Sequence, residues 1–146
     1  MSKTKDIKTF IILFLVFIAI KLAVMPYVVS GESMYPTLHN GQLGVGVRTS
    51  FEEVHRFDIV VVRANNKYLI KRVIGLPGEK VEYRDNKLYI DDVEVTDPYN
   101  FGNTGNFNVT LKDNEFYCLG DNREHSSDSR TYGPFDKIYA VSIKRN

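Results

Sequence analysis

Hydrophobic positions along the chain follow two regimes. Residues 10–20 include no polar side chain, and after Lys21 the apolar run resumes over 22–29. From Ser30 onward, short β-branched and aromatic runs alternate with turn residues, the pattern of an all-β domain. The spacing predicts strands over 43–47, 59–63, 68–75, 80–84, 87–90, 93–95, 107–111, 115–119 and 138–143. Asp85-Asn86 and Asp91-Asp92 read as hairpin turns, and Pro77-Gly78 as the centre of a type II turn. Residues 96–106 form the longest irregular segment, a surface loop.

The first regime predicts a helix over 10–29 that crosses a bilayer. Its 19 residues from 11 to 29 would reach about 28 Å, close to the roughly 30 Å hydrocarbon core. Lys21 opposes insertion by about 3 kcal/mol, but the surrounding Phe, Ile, Leu and Val residues together outweigh it, and Lys21 can snorkel outward. Pro26 lies near the far end, where it can end or kink the helix. A cleaved secretory signal would need a small-x-small site before Ser30, and none is present. A surface helix of a soluble domain would be apolar on one side only. Lys3, Lys5 and Lys8 precede the run, so the expected organisation is a cytoplasmic segment 1–9, a single transmembrane anchor 10–29 and an extracytoplasmic β domain 30–146.

A net charge of +1 and the lack of a basic stripe with interleaved aromatics argue against a nucleic-acid partner. The single cysteine, Cys118, excludes an internal disulfide and a cysteine-based zinc site. It sits in an apolar run and reads as a small core residue. No cofactor or metal is expected. His39, His55 and His125 are irregularly spaced and form no triad pattern.

Candidate chemistry begins where the apolar run ends. Ser33 lies in Ser30-Gly31-Glu32-Ser33-Met34-Tyr35-Pro36-Thr37 and needs a base to act as a nucleophile. Lys71 lies mid-strand, where Leu69, Lys71 and Val73 share one face and Tyr68, Ile70, Arg72 and Ile74 the other. Both faces are mostly apolar, which allows a desolvated lysine. Such burial lowers an amine's pKa and would free it to take a proton from Ser33. The strand pattern alone equally allows a lysine that reaches around an edge to water. A third block, residues 120–133, is densely polar. It reads either as a solvated loop or as a hydrogen-bonded shelf beneath a buried amine.

Together the blocks at 30–38, 57–62, 68–79 and 120–133 resemble, in order, the bacterial type I signal peptidase family, Gram-positive type. The resemblance implies a mainly β fold of the Ser-Lys protease type, with an antiparallel catalytic β-sheet. It implies Ser33 as nucleophile and Lys71 as general base in cleaving signal peptides from exported preproteins, with small residues preferred at −1 and −3. It also implies that Ser126 orients the lysine, that Asp128 and Arg130 form a structural ion pair, and that Asp121 and Arg123 are further scaffold charges. The Ser33 backbone N–H would be one oxyanion donor. Gly31 stands where some relatives carry a serine hydroxyl as the second. The implied partners are secretory preproteins, the lipid bilayer and, by proximity, the export translocon. A self-cleaving Ser–Lys repressor would have a DNA-binding region in place of residues 10–29, and a catalytically silent tethered paralogue would need no intact Ser33 and Lys71.

Overall fold

The computed structural model describes residues 2–144; Met1 of the predicted 1–9 segment and residues 145–146 lie outside the described residues. Helix α1 (Ser2–Ala23) leads into β1 (Val24–Val28) and β2 (Leu43–Arg48). There follow β3 (Ile59–Ala64), β4 (Lys67–Gly75), β5 (Lys80–Arg84), β6 (Lys87–Ile90), β7 (Val93–Val95) and β8 (Phe107–Thr110). Then come β9 (Tyr117–Leu119), a 3-10 turn over Arg123–His125, the one-turn helix α2 (Ser129–Tyr132) and β10 (Ala140–Ser142). One six-stranded sheet runs β1-β2-β10-β3-β4-β9 and a four-stranded sheet β7-β6-β5-β8. All strand pairs in both are antiparallel.

The hairpin turns have the chemistry their sequence calls for. Asp85-Asn86 and Asp91-Asp92 all adopt positive φ, as do Asn65-Asn66 between β3 and β4. Two successive left-handed residues give the turn whose twist matches that of the flanking strands. Gly78 takes the positive φ of a type II turn. Strand ends are trimmed relative to the sequence pattern: Leu111 bonds the Glu79 carbonyl, and Phe116 bridges Phe135 beyond β9.

The N-terminal run departs from expectation. It is not one helix over 10–29, because α1 stops at Ala23 and residues 24–28 pair with β2 as an edge strand. Val29 exchanges both main-chain bonds with the β2 side, so alternation turns the Pro26 nitrogen, which has no hydrogen, to the open edge. That is the position a sheet tolerates for proline. From Phe10 to Ala23 the helix is only about 21 Å long. Among the described residues, no helix is long and apolar enough to cross a membrane.

Three clusters form the core. Ile74, Val81, Tyr83, Leu88 and Leu119 pack between the sheets. Val60, Val62, Val73, Cys118 and Val141 pack under Phe135 and Ile138 on the opposite face. Val29, Met34, Leu38 and Ile59 lie beneath the 30–42 loop. Each fully buried aliphatic side chain contributes roughly 1.5–3 kcal/mol. Cys118 is fully buried, as its apolar run suggests, and burial pushes its thiol pKa up.

Candidate active site

The loop between β1 and β2 is tied down at both ends. Val29 N–H donates to the Gln42 carbonyl, Gly41 N–H returns to the Val29 carbonyl, and Gly31 N–H donates to Asn40 Oδ1. Gly31 holds φ +86°, a conformation that favours glycine. Within this loop Ser33 is fixed by its neighbours: Asn122 N–H donates to the Ser33 carbonyl and Asn122 Nδ2 to the Glu32 carbonyl.

Lys71 reaches the same point from β4. Its Nζ lies 2.8 Å from Ser33 Oγ and 3.0 Å from the Ile70 carbonyl. The side chain is buried, with no carboxylate in ion-pair distance among the described residues. Burial is the largest influence on the amine and brings its pKa down to about 8, against the smaller opposing pull of Asp128. Nothing in the strand pattern distinguished this from an edge lysine; the difference lies in where β9 stops. Pairing of β9 with β4 begins at Arg72, and the Ser33 loop covers β4 beyond it.

Arg72, next along the strand, has the opposite environment. Its Nε and Nη2 each lie 2.7 Å from the two oxygens of Asp121, its Nη1 donates to the Phe57 carbonyl, and Tyr99 stacks 3.4 Å from its guanidinium. Asp121 also accepts from Thr37 Oγ1 at 2.5 Å.

A serine hydroxyl in contact with a buried amine that has no counter-ion among the described residues is a combination that nucleophilic catalysis can use. Comparison with known proteins agrees: the family profile "Signal peptidase, peptidase S26" matches residues 4–142. The chain belongs to the signal peptidase S26 family. Signal peptidase I S of Bacillus subtilis (strain 168) is 41% identical over 72% of this chain and 65% of its own length, so the match spans just under two thirds of that relative. Signal peptidase IB of Staphylococcus aureus (strain COL) is 38% identical over 90% of this chain and 80% of its own. A crystal structure of a signal peptidase I from Enterococcus faecalis V583 superposes with a TM-score of 0.56 at 34% identity, covering 62% of this chain and 97% of that one.

The remaining residues singled out from the signal peptidase resemblance fall around this pair. Asp128 and Arg130 form a two-pronged pair at 2.8–2.9 Å, and Asp128 also accepts the Gly120 N–H. Burial works against the Asp128 charge, but these donors hold its pKa below the usual value. Asp121 and Arg123 do not pair with each other. Asp121 takes Arg72, while Arg123 takes Asp97, Tyr83, Thr104 and the Gly120 carbonyl. Ser126 makes no hydrogen bond to Lys71. Its buried Oγ has no partner of ordinary geometry, although it stands near enough for the Asp128 carboxylate to feel it. Gly120 makes room for Ser126 Oγ and the Ser33 carbonyl side by side, since a Cβ there would overlap both. Sequence reasoning missed Arg72, Asp97 and Thr37; the apolar neighbours of Arg72 are the one available hint that it, too, is buried.

A cleft of about 80 Å³ opens beside the Ser33–Lys71 pair, lined by Val28, Met34, Tyr68, Leu69 and Ile70. Val73 exchanges both main-chain bonds with residues 57 and 58. By alternation Tyr68 and Ile70 turn their main-chain groups to the side where no strand pairs with β4.

Proposed function

We propose that this chain is a membrane-attached serine endopeptidase that removes signal peptides from exported preproteins, with Ser33 as nucleophile and Lys71 as general base. The observation that carries the proposal is the 2.8 Å contact between Ser33 Oγ and an amine buried without a counter-ion. With a pKa of about 8, about a quarter of the amine is neutral at pH 7.5, against roughly one molecule in a thousand for an ordinary lysine.

In the neutral form Lys71 Nζ accepts the Ser33 proton as Oγ bonds to the scissile carbonyl carbon. The Ser33 N–H, which has no partner among the described hydrogen bonds, is the oxyanion donor in this proposal. Lys71 returns the proton to the amine as the C–N bond breaks, then takes one from the water that hydrolyses the acyl ester. Ser126, whose hydroxyl has no fixed partner, holds the amine in line once Ser33 is acylated. Asp128 and Arg130 keep the 120–130 segment in place. Gly31 serves by its backbone shape, since its N–H is already given to Asn40.

The substrate runs extended between the open edges of β1 and β4, adding main-chain bonds at Tyr68 and Ile70. Alternate side chains of such a strand share a face, and the small cleft there favours small residues at −1 and −3.

Attachment to the cytoplasmic membrane runs through α1, whose apolar residues are exposed on all sides, and through the adjoining exposed Val28, Leu43 and Val45. In this proposal the basic N-terminus stays cytoplasmic and residues 30–146 face outward, close to the export translocon. The roughly 9 Å by which α1 falls short of the hydrocarbon core is absorbed by local thinning and snorkelling. Release from membranes by high salt alone would contradict the attachment. Cleavage of a preprotein, with the cut site mapped by mass spectrometry, tests the activity. Ser33→Ala and Lys71→Ala are each expected to abolish it, and near-normal turnover by either contradicts the dyad.

A further inference from the structure

We propose that Thr37 is a positioning residue for this reaction, setting the Ser33–Lys71 distance by anchoring the nucleophile loop to the residue next to the base. This deepens the Ser33–Lys71 reading and rests on it. Ser33 and Thr37 sit at the two ends of one tight turn, closed by Tyr35 N–H to the Glu32 carbonyl and by Leu38 N–H to the Met34 carbonyl. Two consecutive residues, Asp121 and Asn122, hold its two ends. Asn122 N–H holds the Ser33 carbonyl at 3.0 Å, and Asp121 Oδ2 accepts Thr37 Oγ1 at 2.5 Å. Asp121 is fully buried and is gripped through both oxygens by Arg72, the covalent neighbour of Lys71.

A chain of short, charge-assisted bonds therefore runs from the nucleophile's turn to the base's own strand. Asn122 grips the turn at its Glu32 and Ser33 carbonyls, and Met34 and Leu38 are buried beneath it. The Thr37 bond adds a tie through Asp121 to Arg72, on the strand of the base. That bond needs a donor, and the Thr37 hydroxyl supplies it; the Thr37 carbonyl, an acceptor, takes Lys144 Nζ at 3.2 Å. A displacement of about 1 Å at reacting atoms costs on the order of 100-fold in rate.

The test compares Thr37→Val, which keeps the shape and loses the hydroxyl, with Thr37→Ser, which keeps the hydroxyl. Both are assayed as full chains in detergent against a preprotein, alongside Ser33→Ala. Thr37→Val is expected to lower kcat roughly 10- to 100-fold, leave KM within about twofold, and keep the rising limb of the pH–rate profile near pH 8. Thr37→Ser is expected to restore kcat to within a few-fold of the parent. Wild-type kcat in Thr37→Val, or no rescue by Thr37→Ser, overturns the proposal. So does a Thr37→Val chain that does not fold, because the hydroxyl would then be holding the fold and not the distance. If Ser33→Ala stays active, the dyad itself has failed; if Ser33→Ala is dead and Thr37→Val is normal, only the positioning role has.

Discussion

Lys71 and Arg72 are neighbours on one strand, both basic and both buried, and their surroundings are opposite. Arg72 is 0% exposed, and every arm of its guanidinium is answered by Asp121 or the Phe57 carbonyl, with Tyr99 stacked over its face. Lys71 is 3% exposed and, among the described residues, bonds only a hydroxyl and a carbonyl. Burial without a counter-ion pushes an amine toward its neutral form, whereas burial with a two-pronged carboxylate keeps a guanidinium charged and fixes geometry. One strand thus carries the amine proposed as base on one face and, on the other, the guanidinium proposed to brace it.

The largest effect that would break this contrast is loss of chemistry. Ser33→Ala and Lys71→Met are each expected to reduce preprotein cleavage by roughly 10⁴-fold or more, with the circular dichroism of the parent retained. Next comes Asp121→Ala, which leaves the Arg72 guanidinium buried and unpaired. Denaturant unfolding should show a loss of about 3–5 kcal/mol; a loss under about 1 kcal/mol would mean that Arg72 is not braced as described.

Lys71→Met should move stability the other way. The folded pKa of about 8 lies below the ordinary 10.5, so below pH 8 both states hold the proton and the fold bears the full burial cost. Between pH 8 and 10.5 the folded amine has lost its proton while the unfolded one keeps it, so parent stability rises with pH. Above about 10.5 the cost is gone. At about 1.4 kcal/mol per pH unit, Lys71→Met is therefore expected to be more stable than the parent by about 3 kcal/mol at pH 7. The gap should close toward pH 10.5, as read by unfolding at several pH values. The smallest effect concerns Ser126→Ala, expected to slow cleavage about 10-fold and to change stability by less than about 1 kcal/mol, since its hydroxyl has no hydrogen-bond partner of ordinary geometry among the described residues. An unchanged rate would remove Ser126 from the reaction.

Much of this scaffold was legible in the residue pattern because hairpins advertise themselves locally. Asp85-Asn86 and Asp91-Asp92 mark their turns, and the alternation in residues 80–90 assigns both faces of β5 and β6. Strand β1 was not legible. Val24-Met25-Pro26-Tyr27-Val28 continues the apolar run of α1 without a polar break, and only its pairing with β2 distinguishes strand from helix. The site divides along the same line. Ser33 and Lys71 are picked out by the family resemblance of the blocks around them, but ion-pair partners depend on topology. Asp121 and Arg123 lie two residues apart and yet pair with Arg72 and Asp97. Asp97 sits in a segment expected to be a surface loop, though its side chain is only 3% exposed.

The most direct test of the account is the titration of the Lys71 amine itself in the folded, full-length chain. It can be followed by the pH dependence of its side-chain ¹³Cε resonance, assigned by comparison with Lys71→Met. A midpoint near pH 8 is expected. A midpoint near 10.5 would contradict it, because the amine beside Ser33 would then keep its proton throughout the range in which it must accept one.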